Sequence, residues 1–208
     1  MITSLKEIIE KEILAIRQIP LSEAYDKAIE LIISQVHQKK GKLVCSGMGK
    51  AGQVASNIAT TFSSTGTPAC FLHPSDAQHG DLGILRENDL MLLISNSGKT
   101  REIIELVGLS RQLIPDIRFI VITSNEASEL AKSADVCLLT GNPPEVCALG
   151  LTPTTSTTVM NVIGDLLVVE TMKRIGFTAS DYAKRHHGGY LGAVSRMQSR
   201  QKGRINSG

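Results

Sequence analysis

KLVCSGMGKAG, residues 42–52, runs from an apolar segment through a Gly-rich turn into a helical pattern that reaches about Ser64. Lys42–Ser46 shows no apolar/polar alternation, so a strand there must be covered on both faces. That condition belongs to parallel sheets flanked by helices. The same order recurs downstream. Leu90–Ser95 (LMLLIS) reads as a buried strand, followed by a Ser/Gly turn and a helix from about Thr100. Between and beyond them lie further apolar runs at Ala69–His73, Arg118–Thr123 and Val136–Leu139, with a short helix near Glu126–Ser133. Apolar strands alternating with helices define an α/β protein with five parallel strands and right-handed crossovers. Upstream, residues 3 to about 39 carry two helical patterns separated by Pro20, with Ser22 as the expected N-cap and Gly41 as the stop. Pro153–Ile175 reads as a long helix with so much apolar surface that it must be deeply buried or lie at an interface.

Composition narrows the class. The 208 residues suffice for one domain with a sizeable core. The 22 Lys+Arg against 20 Asp+Glu leave a net charge of +2, which excludes the marked basic patch of a nucleic-acid binder. Aromatics are 3% with no Trp, so the core is aliphatic and stacking platforms are scarce. No apolar run approaches the ~20 residues of a membrane span, and no signal-peptide hydrophobic region opens the chain. Four scattered cysteines without a CxxC pair read as reduced thiols of a cytoplasmic protein. Residues 1–195 are expected to form one domain that includes the N-terminal helices. Residues 196–208 form a polar tail, whose four positive charges are more often solvated than anchoring.

In an open parallel sheet, ligands bind beyond the carboxyl ends of the strands. The first such loop holds Ser46, Gly47, Gly49 and Lys50 in a formal G-x-G-x-x-G pattern. Its glycines let a backbone approach a phosphate. A dinucleotide site also needs an acid at the end of the second strand; here that strand ends His73-Pro74, and Asp76 comes late. The third loop, Ser95-Asn96-Ser97-Gly98-Lys99-Thr100, combines hydroxyls and N–H groups before a helix, as a phosphate cradle requires. It is no P-loop, because Leu93 stands where that motif needs Gly. A bare Gly turn and a Ser-rich N-cap are the bland alternatives. The second loop offers His79 among Gly and Asp residues, either an acid/base or a solvated histidine. Glu145 lies in an otherwise apolar stretch, where burial is expected to raise its pKa and suit it to proton abstraction. His186 and His187 would need a third ligand to hold a metal, so no metal is expected.

Taken together, GMGKAG (47–52), TGTPACFLHPSDAQHGDLG (65–83), SNSGKT (95–100), EVCALGLTPTTSTT (145–158) and HHGGYLG (186–192) resemble the sugar isomerase (SIS) domain family. They are most similar to its D-arabinose 5-phosphate isomerases. The resemblance implies a flavodoxin-like, five-stranded α/β/α sandwich that interconverts D-ribulose 5-phosphate and D-arabinose 5-phosphate for Kdo and lipopolysaccharide synthesis. It implies no cofactor, and a homotetramer with active sites shared between subunits. Ser95, Ser97 and Thr100 would hold the phosphate, Lys50 would polarise the carbonyl, and Glu145 and His186 would be base and acid in either order. His79 would bind hydroxyls or assist ring opening.

Three departures qualify it: no tandem CBS pair follows, Lys99 stands where the family carries Glu, and His187 replaces the Pro of HPGG. CMP-Kdo is a candidate feedback inhibitor. A silent SIS sensor and an SIS isomerase of another sugar phosphate are the competing expectations.

Overall fold

The computed structural model describes residues 2–188 together with Gly192, Val194 and Ser195. The basic tail expected at 196–208 and part of the HHGGYLG motif lie outside the described residues. Five parallel strands are present: β1 (Leu43–Gly47), β2 (Ala69–Phe71), β3 (Leu90–Ile94), β4 (Arg118–Thr123) and β5 (Val136–Leu139). Their spatial order is β2-β1-β3-β4-β5, so the expected α/β class is borne out.

The period-2 geometry of a strand sorts each one into two faces. On one face Leu43, Cys45, Leu90, Leu92, Ile94, Ile120 and Ile122 pack under α1 (Ile2–Arg17), α2 (Ala24–Ile32), α3 (Gly49–Ser64) and α7 (Thr155–Arg174). On the other face Val44, Met91, Leu93, Phe119 and Val121 pack under α4 (Pro74–Ala77), α5 (Arg101–Leu113) and α6 (Glu129–Ser133). Because both faces are covered, β1 and β3 are buried at every position, which is why they read as unbroken apolar runs.

Several boundaries differ from the expectation, each for a local reason. β2 stops at Phe71 because the chain turns: Leu72 N–H still reaches Cys45 C=O at 2.9 Å, but Pro74 then starts α4. The segment after α2 widens into a π-helical turn, Ile33–Gln38. Ser22 is not the N-cap of α2; Glu23 takes that position, and Ser22 Oγ accepts from Ala24 N–H at 3.3 Å. α8 (Ala179–Arg185) carries a reciprocal capping box between Thr178 and Asp181. The long helix α7 is deeply buried against α3: an added Cβ at Gly164 would sit 2.4 Å from Ile58 Cδ1, so any larger residue there requires Ile58 to shift. Leu166 and Val169 on its outer side are exposed.

Candidate active site

β1 and β3 lie side by side with level ends, Gly47 opposite Ile94. The chain leaves β1 toward β2 on one side and β3 toward β4 on the other. The crevice between their carboxyl ends is therefore the topological switch point, where an open α/β sheet offers a ligand site. A cleft of about 680 Å³ opens there. Met48, Lys50, Ser95, Asn96, Ser97 and Thr100 line one wall; Asn142–Glu145, Leu151, Ser156 and Thr157 line the other.

The wall beside α5 is suited to an anion. Ser95 is buried, and its hydroxyl bonds to that of Thr100 at 2.7 Å while accepting Gly98 N–H at 3.2 Å. Thr100 is the N-cap, but its hydroxyl is engaged by Ser95 and no side chain caps the helix. The positive end of α5 is thus left open beside the cleft. Ser97 is exposed at the same edge, and Lys99 N–H donates to its Oγ at 3.2 Å. Asn96 is anchored by its own carbonyl, which accepts from Ser124 N–H at 2.9 Å and Thr123 Oγ1 at 3.0 Å. Its side-chain Oδ1 is buried with no partner among the described residues.

The opposite wall carries the reverse arrangement. The Glu145 carboxylate occupies the N-terminus of α7. Oε2 accepts from Thr154 N–H at 2.7 Å, Thr154 Oγ1 at 2.9 Å and Ser156 N–H at 3.3 Å, and Oε1 accepts a short bond from Ser156 Oγ. This corrects the expected raised pKa. Burial does push the carboxyl up, but these donors outweigh it and hold Glu145 below the ordinary carboxylate range. Glu145 is a clamped, ionised group. The hydroxyl-rich start of α7, read from sequence as capping and packing, is the clamp itself.

Some expected site residues are not at the cleft. Ser46 is fully buried and its hydroxyl donates to Leu72 C=O at 2.7 Å, so it fastens β1 to the β2 turn. Gly47 and Gly52 serve close packing: a Cβ on Gly52 would lie 2.5 Å from Gly47 O, so these glycines bring α3 onto β1. Gly98, at φ +64°, is buried against Ser128, whose Oγ would lie 2.1 Å from an added Cβ, and its N–H is already bonded to Ser95. Gly49 is exposed, with open space around it. His79 is exposed on the turn after α4, outside the lining of the cleft. His186 stacks on Tyr182 at 3.7 Å and lines a separate pocket with Thr60, Ser63 and Phe71. Within one chain the structure unites Lys50, the Ser95–Thr100 loop and Glu145, but neither histidine. Among the described residues no three His, Cys, Asp or Glu side chains gather as metal ligands would, and no helix is long and apolar enough to cross a membrane.

Sheet order and cleft define a flavodoxin-like α/β domain with a Ser/Gly loop at its switch point. The SIS domain family model matches residues 35–170, and the chain belongs to that family. It is 47% identical over 185 residues to the arabinose 5-phosphate isomerase KdsD of Yersinia pestis, covering 88% of this chain and 54% of that protein. The chain thus spans about half the length of the curated relatives it matches. A crystal structure from Bacteroides fragilis, provisionally assigned as a phosphosugar isomerase involved in capsule formation, is 68% identical with a TM-score of 0.90, covering 91% of this chain and 99% of that one. An Escherichia coli CFT073 protein, c3406, solved in complex with arabinose 5-phosphate, is 35% identical with a TM-score of 0.82, covering 89% of this chain and 96% of that one.

Proposed function

We propose that the chain is an aldose–ketose isomerase that interconverts D-ribulose 5-phosphate and D-arabinose 5-phosphate through an enediol. One observation carries the reading: an open, uncapped helix N-terminus and a clamped carboxylate border one cleft, with Lys50 in the same lining. The arabinose 5-phosphate complex of the 35%-identical E. coli protein supports the substrate. The phosphate sits at the open end of α5, held by the Ser95–Thr100 loop. It is excluded from the end of α7, which Glu145 already neutralises. Anchoring the remote phosphate orients the reacting carbons.

Glu145, being ionised, is the base. It takes the C1 proton of the ketose; the C1–H electron pair forms the C1=C2 bond, and the carbonyl π pair moves to O2. The Lys50 ammonium stabilises that oxyanion, an effect on the order of 3–4 kcal/mol when preorganised. A proton then moves from O1 to O2, and C2 is protonated to give the aldose. The clamp lowers the basicity of Glu145 and gives orientation in return. His186 lines a separate pocket beside β2 and not the cleft of its own chain, so on this reading it serves a neighbouring copy. Exposed Leu5 and Ile9 on α1 and Leu166 and Val169 on α7 support association into a homotetramer. Residues 1–195 act as one SIS domain in the cytoplasm, needing no cofactor, and the product feeds Kdo and lipopolysaccharide synthesis. CMP-Kdo competes for the cleft; no inhibition at millimolar levels would end that part of the proposal.

The test is incubation with arabinose 5-phosphate in D2O, followed by proton NMR. Ribulose 5-phosphate carrying solvent deuterium establishes the activity and the proton route. Binding without turnover, with ribose, hexose and heptose phosphates also inert, identifies a sensor instead.

A further inference from the structure

A second carboxylate also reaches the first turn of α7. Glu12, on α1, accepts from Thr155 Oγ1 at 2.8 Å across 143 residues of sequence. Thr155 is buried at 1% exposure, and it stands between Thr154 and Ser156, the two residues that hold Glu145. The other oxygen of Glu12 is buried with no hydrogen-bond partner among the described residues. Leaving a carboxylate oxygen unpaired away from water is costly. Packing alone does not require it, since Ala15 and Ile19 already seat the α1 end in the core. A costly polar contact beside a catalytic group is the pattern of a residue kept for orientation.

We propose that Glu12 is a positioning residue. By holding Thr155 it fixes the first turn of α7, and through that turn the direction in which the Glu145 carboxylate faces the cleft. The inference rests on the reading of Glu145 as the base. Neither Glu12 nor Thr155 lines the cleft, so Glu12 acts through another residue and is not catalytic itself. The phosphate contacts lie on α5, so loss of Glu12 leaves substrate affinity intact.

The test compares Glu12→Ala, Glu12→Gln and Thr155→Val with wild type. The readouts are kcat, KM for arabinose 5-phosphate, thermal melting, and the titration midpoint of a 13C-labelled Glu145 carboxyl by NMR. Glu12→Ala and Thr155→Val should lower kcat roughly ten- to a hundredfold while KM stays within about twofold. Glu12→Gln keeps an acceptor for the Thr155 hydroxyl and should recover kcat to within a few-fold. The carboxyl titration separates position from charge by its sign. Removing a neighbouring negative charge lowers the Glu145 midpoint, whereas loosening its donors raises it. The midpoint should rise in Glu12→Ala and Thr155→Val and not in Glu12→Gln. Unchanged kcat in Glu12→Ala, or a Gln variant as impaired as the Ala variant, overturns the proposal. If Glu12→Ala does not fold, Thr155→Val decides the matter alone. If wild type does not turn over the sugar, the isomerase reading has failed. The titration then decides by itself: a midpoint unmoved in Glu12→Ala and Thr155→Val rejects the Glu12 link.

Discussion

Ser156→Ala separates the clamp from the rest of the site. Ser156 supplies two of the four bonds to Glu145, the hydroxyl to Oε1 and the N–H to Oε2 at 3.3 Å. The substitution removes only the hydroxyl; both Thr154 donors and the Ser156 N–H remain. A hydrogen bond to a charged group contributes about 1.5–3 kcal/mol when sheltered. Glu145 is only half-buried, and water replaces part of what is lost, so about 1 kcal/mol is the better figure. That corresponds to roughly 0.7 of a pH unit. The direction follows from the present state of the carboxyl, which these donors hold below its ordinary value against the opposing effect of burial. Losing a donor raises it, and a base works only when ionised. The acid limb of the kcat/KM profile should therefore move to higher pH by roughly 0.7 unit. Stability follows the same linkage. A depressed carboxyl stabilises the fold above its unfolded value, and that contribution fades as pH falls through the depressed folded value. Urea titrations should therefore show a wild-type advantage at neutral pH that narrows in acid. An acid limb that stays where it was, in a variant that folds, would refute the claim that the α7 clamp sets the ionisation of Glu145.

Three further outcomes test other parts of the structure. Cys147 Sγ accepts from Thr152 N–H at 3.2 Å and Leu151 N–H at 3.3 Å, and bonding led by the Thr152 N–H lowers its thiol to about 7. Its alkylation rate, followed by mass spectrometry, should rise with pH around a midpoint near 7, while Cys45, whose thiol burial pushes far up, stays unlabelled. Gly164→Ala forces a methyl against Ile58 at the α3–α7 contact and should cost about 1–3 kcal/mol in denaturant unfolding; an unchanged midpoint would mean that the helices separate freely. Asp89 is buried and accepts from Lys42 N–H at 2.9 Å, Arg86 N–H at 2.8 Å and the Lys42 ammonium. Asp89→Ala strands these donors and should lower stability by about 2–4 kcal/mol, with no change in KM, since the residue lies at the opposite end of β3 from the cleft.

How much the sequence reveals depends on the range of the interaction. β4 and β5 are read to the residue because their apolar runs stand out between polar flanks: residues 119–122 of β4 are buried on both faces, and the edge strand β5 alternates buried and half-buried positions. The carboxyl-end rule likewise brings Lys50 and the Ser95 loop into one neighbourhood before the fold is known, whereas Glu145 joins them only through the family resemblance. Small residues are harder. Ser46, Gly47 and Gly98 look like ligand contacts in sequence, because a serine or glycine beside a ligand and one beside backbone have the same local pattern. Only the three-dimensional neighbours, Leu72 O for Ser46 and Ser128 for Gly98, tell them apart. The environment of Glu145 is misleading in sequence for a related reason. An apolar flanking sequence suggests a buried carboxyl, but the loop carries Glu145 back to a helix start 9 to 11 residues on. Glu12 gives no signal at all, because its partner is 143 positions away.

Among the helix N-termini that reach the cleft, those of α5 and α7 are treated oppositely. Both carry a partial positive charge of equal kind. At α7 the chain supplies the counter-charge itself, through Glu145, with Glu12 on the adjacent Thr155. At α5 no side chain caps the helix: the Thr100 hydroxyl is turned onto Ser95, and the one acid of the first turn, Glu102, lies outside the lining of the cleft. On the proposed function, an incoming dianion is thereby steered away from α7, where it would meet a carboxylate, and toward the α5 side of the cleft. The sugar must then extend from α5 toward α7, past Lys50, with its reacting carbons at the Glu145 end. In the proposed function, direction of binding, choice of base and site of the oxyanion follow from that asymmetry. Exchanging it should therefore do more than weaken binding. Glu145→Gln removes the negative charge but keeps an acceptor for the α7 donors, so phosphate repulsion at α7 falls while the base is lost. The variant should bind arabinose 5-phosphate at least as tightly as wild type by calorimetry and turn it over at least about a hundredfold more slowly. Weaker binding by Glu145→Gln would mean that the carboxylate holds the sugar through its hydroxyls, and the division of labour between the two helices would have to be abandoned.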